Sequence, residues 1–171
     1  MRFFVLIFLL IFVSCNKQET KQKQLSKKYS KETLENINKQ LVNKDSELIK
    51  SYVQRRNWDM KPTQTGLWYM ILDKGNEKTI EKNNHITYNY NIRLLNGNLC
   101  YSSDSLGAKS IVVGQGGVES GLEEGILLLN EKGKARFIIP PHLAHGLIGD
   151  NNHIPARAIL IYDIEILKVK P

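Results

Sequence analysis

Cysteine is almost absent from this chain of 171 residues, which has only Cys15 and Cys100. No CxxC pair or HExxH run occurs, and the four histidines (His85, His142, His145 and His153) show no ligand spacing. No metal site and no cofactor is therefore expected. Long apolar runs are missing as well. The longest, residues 3–13, is eleven residues, whereas a membrane-spanning helix needs about 20. No internal repeat is present. Charge is the one imbalance, a formal net of +7. It is concentrated, because residues 17–50 carry nine lysines against five acids. A solvated spacer with weak attraction to anionic lipid headgroups accounts for that. A nucleic-acid-binding arm would rest on charge alone, and no nucleic-acid partner is expected.

The N-terminus carries a specific signal. Arg2 precedes the apolar run, and the small Ser14 precedes Cys15. A short positive region, an apolar stretch too short to span, a small residue and then Cys is the pattern of a bacterial lipoprotein signal. Residues 1–14 are expected to be removed and Cys15 to be lipidated, placing the chain in the cell envelope, at the periplasmic face of the outer membrane. Phe12, three positions before the Cys, is less usual than Leu. An ordinary signal peptide or a poor membrane anchor is the alternative. With Cys15 acylated, Cys100 has no partner for an internal disulfide, and it is expected as a small buried hydrophobe.

Residues 15–30 are nearly all polar and cannot bury enough apolar surface to fold, so they read as a flexible basic tether. Residues 31–60 read as a helical extension. Leu34, Ile37 and Leu41 recur at helix spacing, and Asp45 or Ser46 can cap a second segment bearing Leu48, Ile49, Tyr52 and Val53. That stripe is expected to pack on the following domain. Lys61-Pro62 and Gly66 break the helix.

From Leu67 the pattern is mostly strand. Residues 85–94 alternate, with Ile86, Tyr88, Tyr90 and Ile92 on one face. Asn96-Gly97 signals a hairpin. Residues 67–73, 99–102, 109–114 and 135–141 supply further strands. Residues 157–169 supply the last, with Leu160, Tyr162, Ile164 and Ile166 inward and Ile161, Asp163, Glu165 and Leu167 outward. Between them, 120–134 reads as a helix with Ser120 and Glu123 as a capping box, Leu122, Ile126 and Leu129 on one face, and Gly133 as its stop. The expected architecture is α+β: a twisted antiparallel sheet wrapped over one short amphipathic helix, as a single domain over 66–171.

Several of these segments together resemble a known family. The G-x-E-E-G helix start, the Gly-Lys strand ending in I-P-P, the Ala-x-Gly turn and the closing strand after I-P resemble the C-terminal half of FK506-binding-protein-type peptidyl-prolyl isomerases. Tyr90 to Gly97 and Ser102-Ser103 match the N-terminal half less tightly. The whole layout is similar to gliding-motility-associated lipoprotein isomerases of Bacteroidetes. The resemblance implies an FKBP-like fold, proline-containing polypeptides as clients and a largely monomeric domain.

It also implies a pocket. Tyr90, Tyr162 and His145 fall at its catalytic positions, Tyr162 replacing a Phe and His145 a Tyr. Val118, Ala144 and Ile154 fall at apolar positions. Glu119 stands where the family has an Ile whose backbone N–H binds the substrate carbonyl. Leu122 stands in place of a Trp floor, His153 at an apolar flap position, and Cys100-Tyr101 in place of Phe-Asp, with Tyr101 set to fill part of the vacated space. At about 25 cal/mol per Å², losing the Trp and the Phe weakens proline binding by about a few kcal/mol. Two functions follow from this: a membrane-anchored prolyl isomerase serving protein folding, with gliding motility as its setting, or a non-catalytic chaperone or assembly module with the same fold. His145 is either a hydrogen-bond donor in the pocket or a neutral surface-loop histidine.

Overall fold

The computed structural model describes residues 31–76 and 78–171. Residues 1–14, expected to be a signal peptide, and residues 15–30, expected to be a tether, lie outside the described residues, and Cys15 with them. Two compact units are distinguished, Met1–Leu41 and Val42–Pro171. Of the first, the described part is the start of helix α1 (Lys31–Arg55). It carries an exposed Lys31–Glu35 pair at 3.7 Å, of a kind that contributes little. All that follows concerns the second unit.

The helical extension is one helix, and it ends at Arg55 rather than near residue 60. Asp45 does not cap a second segment; it lies inside α1 with its side chain buried. Lys44 and Lys50, two of the nine lysines of residues 17–50, stand on this helix.

The remaining elements are β1 (Lys61–Pro62), β2 (Trp68–Asp73), β3 (His85–Leu94), β4 (Leu99–Ser102), α2 (Ser103–Leu106), β5 (Lys109–Val112), α3 (Ser120–Ile126), β6 (Lys134–Ile139), a 3₁₀ turn (Pro141–Leu143) and β7 (Leu160–Lys170). Every strand pairing is antiparallel. The spatial order is β1-β2-β6-β7-β3-β4, with β5 also on β3. Lys61-Pro62, read as a helix breaker, is itself a two-residue edge strand, and the edge is where a proline costs no ladder hydrogen bond. At the Asn96-Gly97 hairpin Gly97 takes φ +93°, and its N–H donates to Leu94 O at 2.9 Å.

Alternation along the strands builds the main core on one face. Tyr88 and Ile86 of β3, Phe137 and Ile139 of β6, and Leu160 and Ile166 of β7 are almost fully buried there. Helix α3 closes that face with Leu122 and Ile126. It is shorter than its pattern suggested, ending at Ile126, while Gly133 stands in the turn before β6. Gly121 and Gly125 explain its close seat. A Cβ at Gly121 would meet Ile139 Cγ2 at 2.5 Å, and one at Gly125 would meet the Phe137 ring at 2.8 Å.

The capping box does not form. Glu119 is the N-cap and makes no side-chain cap bond. Ser120 Oγ donates instead to Leu143 O at 3.3 Å. Glu123 Oε1 turns outward and accepts from Gly114 N and Gly116 N. Those two loop amides compete for the carboxylate, a tertiary contact that overrides the local motif.

The other sheet face is not left to solvent. Ile49, Tyr52 and Val53 of α1 bury against Ile138, Ile159 and Ile161. Ile161 is outward as read, and it is buried there at 4% exposure. Leu48 is half exposed and does not share this packing. Arg136 lies over the Trp58 ring, 4.3 Å from its centroid, a cation–π contact.

Candidate functional site: a tyrosine-lined cleft

A cleft of about 230 Å³ opens between α3, the β3-β4 hairpin and the loop leading to β7. It is lined by Tyr88, Tyr90, Ile92, Tyr101, Leu106, Lys109, Glu119, His145, Ile154 and Tyr162. A larger hollow of about 570 Å³ lies on the sheet beside His85, Thr87, Ser110 and Lys168. Its lining has no tyrosine, phenylalanine or tryptophan, so the smaller cleft is the better candidate for holding a ring.

Strand period explains most of the lining. Tyr88, Tyr90 and Ile92 project from the same face of β3. The Tyr88 and Tyr90 rings are tilted at 59° with centroids 5.9 Å apart. Tyr162 of β7 lies directly opposite Ile92. A bulge then sets Tyr101. Ile92 faces Tyr101 and Arg93 faces Leu99, so Cys100 is the extra residue on β4. Tyr101 thereby shares the face of Ile92 and turns into the cleft. Cys100 is half-buried rather than buried, and it packs on the edge of the core. Its thiol donates to His153 O at 3.5 Å. Burial, with the charge of Asp150, pushes the thiol pKa up.

The polar groups of the cleft hold one another. Tyr162 donates its hydroxyl to Glu119 Oε1 at 2.6 Å. His145 Nε2 lies 2.9 Å from the same oxygen, and the Glu119 side chain is only 9% exposed. Tyr101 donates its hydroxyl to Asp150 Oδ2. Asp150 Oδ1 accepts from Ile154 N at 2.8 Å and Asn152 N at 2.9 Å. His153 meets the edge of the Tyr101 ring at a centroid distance of 5.2 Å. Ser103 Oγ accepts from Tyr90 N at 3.1 Å, which ties β3 to α2. Among the described residues no buried side-chain nitrogen or oxygen lacks a partner.

These contacts set the protonation of the site. Burial, then the charge of Glu119 and its hydrogen bond, raises Tyr162 well above the ordinary tyrosine value. Burial and the Glu119 charge also raise Tyr88. The hydrogen bond to Asp150, with burial, raises Tyr101. All three stay neutral donors at physiological pH. Burial alone would push Asp150 up. The Tyr101 hydroxyl, the N–H groups of Ile154 and Asn152 and the charge of His145 outweigh it and hold the carboxyl at about 2.

Six of the nine residues assigned to the pocket meet at this cleft: Tyr90, Tyr101, Glu119, His145, Ile154 and Tyr162. Val118 and Ala144 line an adjoining hollow that shares Lys109, Glu119 and His145. Leu122 is the exception. It is 1% exposed inside the main core and does not line the cleft, because a leucine is too short to reach the floor that a tryptophan would form there. His145 is no free surface histidine; it is partly buried on Glu119. Tyr88, Ile92, Leu106 and Lys109 were not assigned. The alternation that exposed Tyr90 also contained Tyr88 and Ile92. Leu106 and Lys109 carry no local signal, because only the turn around α2 brings them to the rim.

Chemically, the cleft offers apolar and aromatic walls with neutral hydroxyl donors, and it holds no activated nucleophile. At the N-cap of α3 the Glu119 N–H has no partner within its helix. Such a site can hold a small apolar ring and donate hydrogen bonds to a carbonyl beside it.

The cleft and sheet have relatives. Residues 76–167 match the family model of the FKBP-type peptidyl-prolyl cis-trans isomerases. The chain is similar to a Haemophilus influenzae protein named "Probable FKBP-type peptidyl-prolyl cis-trans isomerase", at 32% identity over 142 residues, which is 83% of this chain and 58% of that protein. The chain thus spans less than two thirds of that relative's length. The crystal structure of AtFKBP13 superposes with a TM-score of 0.63 at 27% identity, covering 66% of this chain and 99% of that one. FkpA from Escherichia coli shares the fold, with a TM-score of 0.65 at 23% identity, covering 94% of this chain and 75% of that one. With its matched segment running from before β3 into β7 and taking in α3 and the walls of the cleft, this chain belongs to the family of FKBP-type peptidyl-prolyl cis-trans isomerases.

Proposed function

We propose that the chain catalyses cis–trans isomerisation of X–Pro bonds in polypeptide clients, with the tyrosine-lined cleft as its site. The observation that carries this is the convergence of Tyr88, Tyr90, Tyr101 and Tyr162 around one small cleft in a chain of this family. An X–Pro bond prefers trans by only about 0.5–1 kcal/mol, yet the barrier is about 18–20 kcal/mol because rotation breaks amide resonance. No covalent step is needed. Tyr90 and Tyr162 hold the prolyl ring between aromatic walls, with Ile154 and Tyr101 closing the sides. Removing water from the imide favours the twisted amide, which is less dipolar than the planar one. The Glu119 N–H and a hydroxyl or imidazole N–H at the rim, His145 among them, meet the substrate carbonyl as it rotates. Val118 and Ala144 extend the binding surface toward the residue before proline.

A protease-coupled isomerisation assay across several residues before Pro tests this. A rate well above the uncatalysed one, lowered by Tyr90→Ala, is expected. A rate equal to background for every peptide overturns the enzyme reading.

One observation favours a second reading, a non-catalytic folding module. Tyr162 and His145 both engage Glu119 Oε1, and Tyr101 engages Asp150, so these three donors are already held by carboxylates. On that reading the refolding of a proline-free client is still aided, and Tyr90→Ala leaves that aid unchanged.

The setting is part of the proposal. The lipoprotein signal ending at Cys15 supports a lipid-anchored protein of the cell envelope, and the resemblance of the whole layout supports a role in gliding motility. Anchoring raises the effective concentration of a weak site near its clients. Membrane fractionation of Cys15→Ser decides the first point: release into the soluble fraction is expected, and unchanged membrane association refutes it. Surface spreading of a strain carrying that variant decides the second.

A further inference from the structure

Asp45 is the buried acid of α1, on the same stripe as Ile49, Tyr52 and Val53. Both of its carboxylate oxygens accept from Arg157 Nη2, at 2.9 and 2.8 Å. Arg157 lies far along the chain, just before β7, and holds φ +57°, a conformation that non-glycine residues seldom adopt. Its backbone N–H donates to Gly146 O at 3.0 Å. That bond closes residues 146–157 into a loop at its neck.

The far end of this loop belongs to the cleft. Asp150 N donates to Ile154 O, while Asp150 Oδ1 accepts from Ile154 N and Asn152 N. Asp150 Oδ2 takes the Tyr101 hydroxyl, and Ile154 lines the wall. His145 immediately precedes the neck. Helix α1 therefore grips the base of the loop whose tip orients Tyr101 and Ile154.

We infer that Asp45 is a positioning residue for the cleft, acting through Arg157 on the loop of residues 146–157. The effect on turnover rests on the isomerase reading above; the effect on loop order does not. Adhesion of α1 does not require the ion pair, because Ile49, Tyr52 and Val53 already bury against the sheet. A buried ion pair is often no more stabilising than well-packed apolar residues. What it supplies here is a directed grip on one backbone position.

The test uses the whole chain with Asp45→Asn, the charge exchange Asp45→Arg with Arg157→Asp, and Glu47→Gln on the same helix as control. Aspartate tolerates the left-handed backbone at residue 157. Asp45→Asn is expected to lower kcat/KM by about tenfold and to speed amide hydrogen exchange selectively at Asn152 and Ile154. The charge exchange is expected to recover most of both, and Glu47→Gln to change neither. Unchanged exchange at Asn152 and Ile154 in Asp45→Asn overturns the inference. So does acceleration shared equally by the β7 amides, which is the mark of a merely structural pair. If Asp45→Asn does not fold, Asp45→Glu, which keeps the charge at a longer reach, is expected to show the same selective pattern, and its absence there is equally decisive. If the unaltered chain isomerises nothing, the isomerase reading fails, and exchange at the two amides still decides the positioning role.

Discussion

Tyr162 and Glu119 are joined by a 2.6 Å hydrogen bond across the floor of the cleft, with His145 on the same carboxylate oxygen. The Tyr162 ring is 2% exposed. Removing one partner strands the other, whereas removing both together does not. Tyr162→Phe is expected to lower stability by about 1–3 kcal/mol. Tyr162→Phe combined with Glu119→Ile is expected to return most of that loss, since His145 can turn to water. Urea midpoints at unchanged slope measure both, and additive losses would contradict the pairing.

Gly125 sets the distance between α3 and β6. A Cβ there falls 2.8 Å from the Phe137 ring, and Phe137 is wholly buried, so it has nowhere to retreat. Gly125→Ala is expected to cost about 1–3 kcal/mol by overpacking, despite the better helix propensity of alanine. Gly97→Asn, at a turn position with open space around it, is expected to cost far less. Thermal unfolding of the two variants side by side checks this.

Acid should weaken the loop at the cleft rim. Asp150 is held at about 2, below its ordinary 3.8. The folded group therefore stays ionised where the unfolded one has taken its proton. Its contribution is complete above about pH 3.8 and is lost as pH falls to about 2. Asp150→Asn is expected to flatten that limb of the stability curve while leaving the neutral plateau lower. A variant whose acid limb matches the parent would show that Asp150 does not carry it.

At the alkaline end the sign reverses. Tyr88, Tyr101 and Tyr162 are raised above 10.0 in the folded chain. Their contribution is complete below pH 10, the unfolded value, and is lost as pH rises through the folded values. Tyrosinate absorbance from Tyr88, Tyr101 and Tyr162 is expected to appear above pH 10, as the sheet unfolds, and phenylalanine at these positions is expected to remove that part of the rise. Loss of absorbance near pH 10 on those substitutions, with the fold intact, would show that the cleft does not shield them.

Much of the architecture was readable in the amino acids. The alternation of residues 85–94 marked β3 and its buried face, and Asn96-Gly97 marked the hairpin. The family resemblance placed Tyr90, Tyr101 and Tyr162 in one pocket, while the period of two supplied only the faces of Tyr90 and Tyr162. The errors share a cause. Ser120 and Glu123 have the spacing of a capping box, yet two loop amides from residues 114–116 claim the Glu123 carboxylate. Leu122 occupies a floor position, yet its length leaves it in the core.

The sequence by itself determined the faces: local sterics and strand period act within a few residues, and they settle what each side chain can face. Only the tertiary structure decided the partners. That Glu119 would receive both Tyr162 and His145, that a bulge at Cys100 would swing Tyr101 inward, and that Asp45 would reach Arg157 depend on segments distant in the chain. A buried polar group must find whichever donor or acceptor the fold brings within about 3 Å, and its own neighbours in sequence do not specify which one that is.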